Sequence, residues 1–341
     1  MYPLDQGSWG PTVRISHLRD ELAQLVDLDL VSGYRGARRW ALIRYALSGR
    51  LRGLRGIYVE NSSSLPGETD LAFLALARML RIPVLTYVRD AQYLFPEYYH
   101  GGGLKRRVAR ALFMPAIRLL SGVSSMVGYP SAGLAEAVGE KSPEPILLPP
   151  GSPPPVEVPL GSDARSLLFV GPMRYAAHGL DLLVDSVERV RAMGHPVDVI
   201  CVSRPGEEPP EPRPDWLRVE HTSGQGIHLL LPSVIACVTP RLRSPYNDLA
   251  VPIKVMEYLS YGRPLVVTDC TEQARIVHEA DCGLVAEDSA DAFAAAIATL
   301  FDAPIDQING WSANARAAAV EASWGSRASS IVRMLARGES R

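Results

Sequence analysis

AVPIKVMEYLSYGRPLVVT, residues 250–268, carries a helix, its stop signal and a buried strand in immediate succession. Pro252 suits the first position of a helix, where no backbone N–H is needed. Gly262 and Pro264 end that helix, and PLVVT (264–268) follows as an apolar strand. Lys254 and Glu257 stand three apart, so they share one helix face near its N-terminal end. That end carries roughly half a positive charge and unpaired N–H groups, which favour an anion. A lysine there adds a full point charge against a diphosphate, and a glutamate one turn along can accept two hydrogen bonds from a ribose diol. The same spacing also describes an ordinary surface Lys–Glu pair worth about 0.2–0.5 kcal/mol. Spacing alone leaves both readings open.

Outward from this stretch, the second half of the chain alternates regularly. RSLLFVG (165–171) is an apolar run ending in glycine, as a buried parallel strand does. GLDLLVDSVERVRAM (179–193) has apolar residues at 180, 183, 184, 187 and 190, the spacing of one helix face. Strands follow at VDVICVS (197–203), SVIACVT (233–239), PLVVT and GLVAE (283–287), with helices over 252–261, near 271–280, and at 289–301 and 306–337. The first half reads the same way. Strands are expected at LDLVSG (28–33), GIYVEN (56–61), PVLTYVRD (83–90), GVSSMVG (122–128) and PILLPPG (145–151), and helices near 12–25, 35–50, 67–80, 104–119 and 130–138. Alternation of this kind implies parallel sheets covered by helices on both faces. The first helix has no strand before it, whereas the first strand of a doubly wound domain lies mid-sheet. Either this sheet lacks that strand or the natural sequence starts upstream of Met1, and the second is the expectation.

Between the halves, PPGSPPPVEVP (149–159) contains six prolines and reads as a semi-rigid spacer. With 341 residues, the chain suits two domains of about 150 residues each. These are an N-terminal domain over 1–150, a linker over 151–162, a C-terminal domain over 163–322, and a last helix at 323–341 that returns to the N-terminal domain.

Composition narrows the class. Hydrophobic residues make up 47% and charged residues 21%, the balance of a soluble globular protein. MYPLDQGSWG lacks the basic and apolar regions of a secretory signal. The uncharged stretches 119–135 and 222–240 are interrupted by Gly, Pro, Ser or Gln and do not read as membrane spans. Cys201, Cys237, Cys270 and Cys282 show no CxxC spacing and are expected to be buried free thiols in a reducing cytoplasm, with no metal site. Residues 1–150 hold 18 Lys and Arg against 13 Asp and Glu, while the remainder holds 17 against 24. Residues 33–56 contain seven arginines and no acid, interspersed with Tyr34, Trp40 and Tyr45, and LKRRVARALFMPAIRLL (104–120) repeats the theme with a helical apolar stripe. Such surfaces suit an anionic membrane or a phosphate-bearing acceptor, or are simply solvated. No nucleic-acid motif appears in this slightly acidic chain, so nucleic acid is not an expected partner.

The pattern P-x-K-x-x-E-Y-L-x-x-G-x-P-L-V-V resembles the donor-site helix of family-4-type retaining glycosyltransferases (glycosyl transferases group 1), which have the GT-B fold. The turn LLFVGPMRYAAHGLDLL (167–183), the loop PRLRSPYNDLA (240–250) and the continuation TEQARIVHEADCGLVAED (271–288) resemble the same family. The resemblance implies two doubly wound, Rossmann-like domains facing a central cleft. It implies an enzyme that moves a sugar, with retention, from a nucleoside-diphosphate sugar to a hydroxyl acceptor: a glycan, a lipid-linked molecule or a small molecule. It needs no divalent metal or other cofactor. Lys254 matches the family's phosphate-binding lysine and Glu257 its ribose-holding glutamate. The family's second acidic residue, eight positions earlier, is replaced by Leu249, leaving Asn247 and Asp248 as substitutes toward the sugar. Pro172 stands where the family has an arginine after the turn glycine, Gly171. Arg174 becomes the candidate phosphate clamp, and His178 takes the place of a common lysine.

Two further elements complete the expected site. DQGSWGPTVR (5–14) leads into a helix, and Gly7 and Gly10 would let backbone N–H groups approach a phosphate. VRDAQYLFPEYYHGGG (88–103) places Asp90, Tyr93, Glu97 and His100 after a strand, where α/β sheets bind ligands. Asp90 resembles the acid that follows this strand in the family. An aromatic loop packed on its own domain is the plain alternative. The departures at Leu249 and Pro172 keep a silent donor-binding or scaffold subunit open, and the fold also suits a nucleotide-sugar epimerase. A nicotinamide oxidoreductase is disfavoured, since no strand is followed by G-x-G-x-x-G. Expected localisation is cytoplasmic, with membrane association on the cytoplasmic face.

Overall fold

The computed structural model describes residues 10–61, 65–95, 103–173, 178–209 and 211–338. Its first elements are α1 (Gly10–Leu25), α2 (Arg35–Leu47), β1 (Ile57–Asn61), α3 (Glu68–Met79), β2 (Val84–Val88), α4 (Leu104–Val123), β3 (Met126–Tyr129), α5 (Ala132–Ala137) and β4 (Ile146–Leu147). There follow β5 (Ser166–Val170), α6 (Leu180–Ala192), β6 (Asp198–Val202), β7 (Leu217–Glu220), α7 (Gln225–His228), β8 (Val234–Thr239) and α8 (Pro245–Leu249). The last are α9 (Ile253–Ser260), β9 (Leu265–Thr268), α10 (Thr271–Ala280), β10 (Gly283–Ala286), α11 (Ala290–Asp302), α12 (Ile305–Glu321) and α13 (Trp324–Gly338). The chain divides into two compact units: Met1–Gly151 together with Trp324–Arg341, and Ser152–Ser323.

In the first unit the strands lie in sequence order β1-β2-β3-β4, all parallel, with Ile57 opposite Val84 and Asn61 opposite Val88. β2 is buried along its whole length, and its alternate residues serve opposite faces. Val84 joins Leu42, Phe73, Leu74 and Leu120 from α2, α3 and α4. Leu85 and Tyr87 join Leu18, Leu22, Trp324 and Ile331 from α1 and α13. The period of two along a strand thus sorts the helices into two layers. A buried ion pair fixes α1 to the sheet. Arg14 Nε donates to Glu60 Oε1 at 2.8 Å, NH1 donates to the Leu148 carbonyl at 3.3 Å, and the guanidinium lies 3.8 Å above the Tyr87 ring.

The second unit has six parallel strands in the order β10-β9-β8-β5-β6-β7. Leu167 and Phe169 face α6 and α11 through Leu183, Val187, Phe293 and Ile297. Leu168 and Val170 face α9 and α12 through Val255, Met256, Leu259, Ala315 and Ala319. Both faces of β5 are therefore apolar, which is why RSLLFVG reads as a continuous rather than an alternating run.

Three expectations change. LDLVSG (28–33) forms no strand among the described residues, only a single β-bridge at Ser32: Leu30 is exposed, and Asp29 accepts hydrogen bonds from Tyr45 and Arg50. The long helix expected over 306–337 is broken at Ala322 and Ser323. There Ser152 N–H donates to the Ala322 carbonyl at 2.8 Å and Ser152 bridges Ser323 as the chain leaves the second unit for the first. β7, which periodicity misses, is a four-residue strand at the sheet edge with one fully buried residue.

Candidate active site

In the second unit the strand order reverses between β5 and β8, which lie side by side: β6 and β7 continue on one side, β9 and β10 on the other. Ligands of open α/β sheets bind outside the carboxyl ends of the strands at such a reversal. The loops leaving β5 and β8 both carry residues singled out from sequence.

The loop after β5 begins at Gly171, whose φ of +154° suits glycine, and Met173 N–H is tied to the Glu207 carbonyl at 3.0 Å. The loop ends at His178 and Gly179, with Gly179 at φ +76° as the N-cap of α6. A side chain at Gly179 would put its Cβ 1.5 Å from the Pro240 carbonyl oxygen, so only glycine lets this turn touch the loop after β8. Burial and the nearby Arg241 charge lower the His178 pKa from its ordinary value to about 4. At neutral pH His178 is uncharged.

The loop after β8 is held from within. The Arg241 carbonyl accepts from Thr268 Oγ1 at 2.5 Å, while its guanidinium donates to Asn247 Oδ1. Arg241 Nε is buried without an acceptor among the described residues. Asn247 Nδ2 donates to the Leu242 carbonyl at 2.7 Å, and Asn247 N–H donates to Ser244 Oγ at 3.1 Å, capping α8. Asp248 accepts from Arg243 at 3.0 Å and from Thr271 N–H at 3.2 Å, the first turn of α10.

α9 begins after Pro252, which is its N-cap rather than its first residue. Val255, Met256, Tyr258 and Leu259 are buried, leaving Lys254 and Glu257 together on the outer face. Lys254 Nζ donates to Glu257 Oε2 at 2.7 Å, with the side chains 40% and 15% exposed. Inside, Val170 N–H at the end of β5 donates to the Tyr258 hydroxyl at 2.7 Å. The proline-rich segment grips the same helix: Ser152 Oγ donates to the Met256 carbonyl at 2.7 Å, and Val156 N–H to the Ser260 carbonyl at 2.8 Å. After the helix, Gly262 at φ +59° lets Arg316 of α12 lie across the turn.

Residues 164–303 match the family described as Glycosyl transferases group 1. These residues of the second unit form a group 1 glycosyl transferase domain. The chain resembles solved structures over nearly its whole length. Alr3699/HepE of Anabaena, solved with UDP and glucose, has a TM-score of 0.63 at 14% identity, covering 98% of each chain. Sucrose-phosphate synthase (tll1590) of Thermosynechococcus elongatus has 0.62 at 13%, covering 96% of this chain and 92% of that one. The UDP-forming α,α-trehalose-phosphate synthase of Burkholderia xenovorans, solved with glucose-6-phosphate, has 0.56 at 12%, covering 94% and 80%. At these identities the likeness shows the fold, which is GT-B. No curated protein matches the chain by sequence.

The remaining sequence candidates belong to the first unit or to undescribed segments. Asp90 follows β2, and its Oδ1 accepts from Gln92 N–H at 2.9 Å. Tyr93 stacks on Phe113 of α4, centroids 5.4 Å apart, as an aromatic loop packed on its own domain does. Gly10 is the first residue of α1. Gly7, Glu97, His100 and Arg174 lie outside the described residues. Among the described residues no three His, Cys, Asp or Glu side chains gather as a metal-holding group, and no helix is long and apolar enough to cross a membrane. Sequence reading passed over two residues of this site, Arg241 and Tyr258. Arg241 had a signal, as the first cation after strand SVIACVT. Tyr258 lay inside the quoted motif, but nothing in the sequence says that its hydroxyl meets Val170.

Proposed function

We propose that the second unit binds a nucleoside-diphosphate sugar at the β5–β8 reversal and that the enzyme transfers the sugar, with retention, to a hydroxyl acceptor. The observation that carries this reading is α9: it presents Lys254 and Glu257 on one face while Tyr258 ties it to the carboxyl end of β5. Glu257 accepts hydrogen bonds from the donor ribose. Lys254 and the helix N-terminus face the diphosphate, and Arg241, together with the sequence candidate Arg174, adds positive charge as the diphosphate departs. These groups supply the positive charge, so no metal is given a role. His178, neutral at pH 7, offers a hydrogen bond rather than a charge. The four buried free thiols suit a reducing, cytoplasmic compartment.

Lys254 and Glu257 bond to each other. An exposed pair of this spacing is worth about 0.2–0.5 kcal/mol, whereas hydrogen bonds to a charged group contribute about 1.5–3 kcal/mol each. Exchanging the first for the second therefore favours the bound state. Thermal-shift measurements against a panel of nucleotide sugars, beginning with the uridine donors, should show a preferred donor raising the melting temperature. Glu257→Ala should fold normally and bind that donor at least tenfold more weakly; donor affinity like that of the wild type would remove Glu257 from the site. Lys254→Ala should lower kcat more than it loosens the nucleoside. Weaker nucleoside binding with unchanged kcat would mean that Lys254 binds ground and transition states alike.

A further inference from the structure

We propose that α4 is a docking surface for an anionic lipid bilayer, lying in the plane of the headgroups. The helix has two apolar stripes. Phe113, Ile117 and Leu120 are buried in the first unit, as one stripe must be. The second consists of Leu104, Val108, Leu112 and Leu119, which are 77%, 47%, 48% and 60% exposed. At 3.6 residues per turn these four fall within an arc of roughly 80°, opposite the buried stripe. A water-facing helix face gains nothing from such a row of leucines, and a membrane-surface helix needs one.

Charge decides what covers it. α4 contains Lys105, Arg106, Arg107, Arg110 and Arg118 and no acid. On the helical wheel Arg107 and Arg118 lie together along one edge of the exposed stripe, the position of Lys105 lies at the other, and Arg110 lies one step beyond Arg107. Arg107, Arg110 and Arg118 are exposed, and none of them makes an ion pair among the described residues. In the other arginine-rich stretch, 33–56, three of the seven arginines are paired: Arg35 with Glu68, Arg38 with Asp70 and Arg50 with Asp29. Those three charges are met by acids of the same unit, while Arg107, Arg110 and Arg118 are available to phosphate headgroups. Long arginine side chains can reach headgroup level while leucines enter the acyl boundary. An apolar face with cationic flanks complements an anionic bilayer. A second copy of the same face would bring its own unpaired arginines against these.

The test is sedimentation of the full chain with vesicles of phosphatidylcholine alone and of phosphatidylcholine with 30% phosphatidylglycerol, at low and at 0.5 M salt. Neither donor nor turnover is involved, so failure here leaves the glycosyl-transfer reading untouched. At least tenfold stronger partitioning to the anionic vesicles, reversed by salt, is expected. The double variant Leu112→Gln/Leu119→Gln and the triple variant Arg107→Glu/Arg110→Glu/Arg118→Glu should each lower partitioning at least tenfold, with the circular dichroism spectrum and donor affinity unchanged. Partitioning that ignores lipid charge, or that survives both variants, overturns the proposal. So does the absence of vesicle binding together with a dimer that Leu112→Gln/Leu119→Gln dissociates, which would make the face a protein interface.

Discussion

At the residue scale, the same pair of side chains satisfies two descriptions. Lys254 and Glu257 are an i, i+3 ion pair, as their spacing allows, and they also occupy the outer face of a helix at the strand-order reversal. Spacing could not choose between these, because it fixes only which helix face two residues share. Asn247 and Asp248 were named as substitutes for the acid missing at Leu249. Both are occupied within the loop, Asn247 with Arg241 and Leu242, and Asp248 with Arg243 and Thr271. Hydrogen bonds of this kind join residues whose distances no linear pattern encodes. His178 gives a prediction in pH. Its folded pKa, about 4, lies below its ordinary value of 6.5, so between those values the unfolded chain binds a proton that the folded chain does not. Stability should therefore fall as pH drops from 6.5 toward 4, by about 1.4 kcal/mol per unit at most from this one group. His178→Gln should flatten the melting temperature across that window; an unchanged profile would show that His178 is not the titrating group.

At the scale of elements, the C-terminal alternation was legible because β5, β6, β8 and β9 are buried almost throughout and α6, α9 and α11 each bury an apolar face. β5, β6, β8, β9 and β10 fall within the apolar runs read from sequence, α6, α9 and α10 within the expected helices, and α11 ends one residue beyond its expected end. β7 and the false strand at 28–33 mark the limit, since an edge strand needs little hydrophobicity and an alternating run needs a neighbour. α8 was missed although Ser244 and Pro245 form an ordinary cap and first turn. The tie between elements that matters most for the site is Tyr258. Tyr258→Phe keeps the packing but leaves the buried Val170 N–H without its acceptor, at a cost of about 1–3 kcal/mol. Equilibrium urea unfolding should show that loss, and donor affinity should fall with it as α9 loosens from β5. Stability equal to wild type would mean that Val170 finds another partner.

At the scale of the whole molecule, the chain returns to its first unit through α13. Trp324 is buried there, stacked on His17 of α1 at 5.4 Å, and Gly151 leaves room for its ring. Trp324→Ala should cost about 3–5 kcal/mol. Hydrogen exchange should accelerate at β2 amides and stay unchanged at β8; equal acceleration at both would show that the units unfold together. The proline run, read as a spacer, is more than that, since Ser152 and Val156 bond to the carbonyls of α9. By itself the sequence determined the class of fold, the parallel strands of the second unit, the helix bearing Lys254 and Glu257 and the group 1 resemblance, because periodicity, caps and breakers act over neighbouring residues. Only the tertiary structure decided that β5 and β8 lie side by side, that Gly179 meets Pro240, that Tyr258 meets Val170, and that Arg35, Arg38 and Arg50 find acids while, among the described residues, Arg107, Arg110 and Arg118 do not. Each of these joins residues tens of positions apart, and such pairings are set by how helices and strands pack, not by any local pattern.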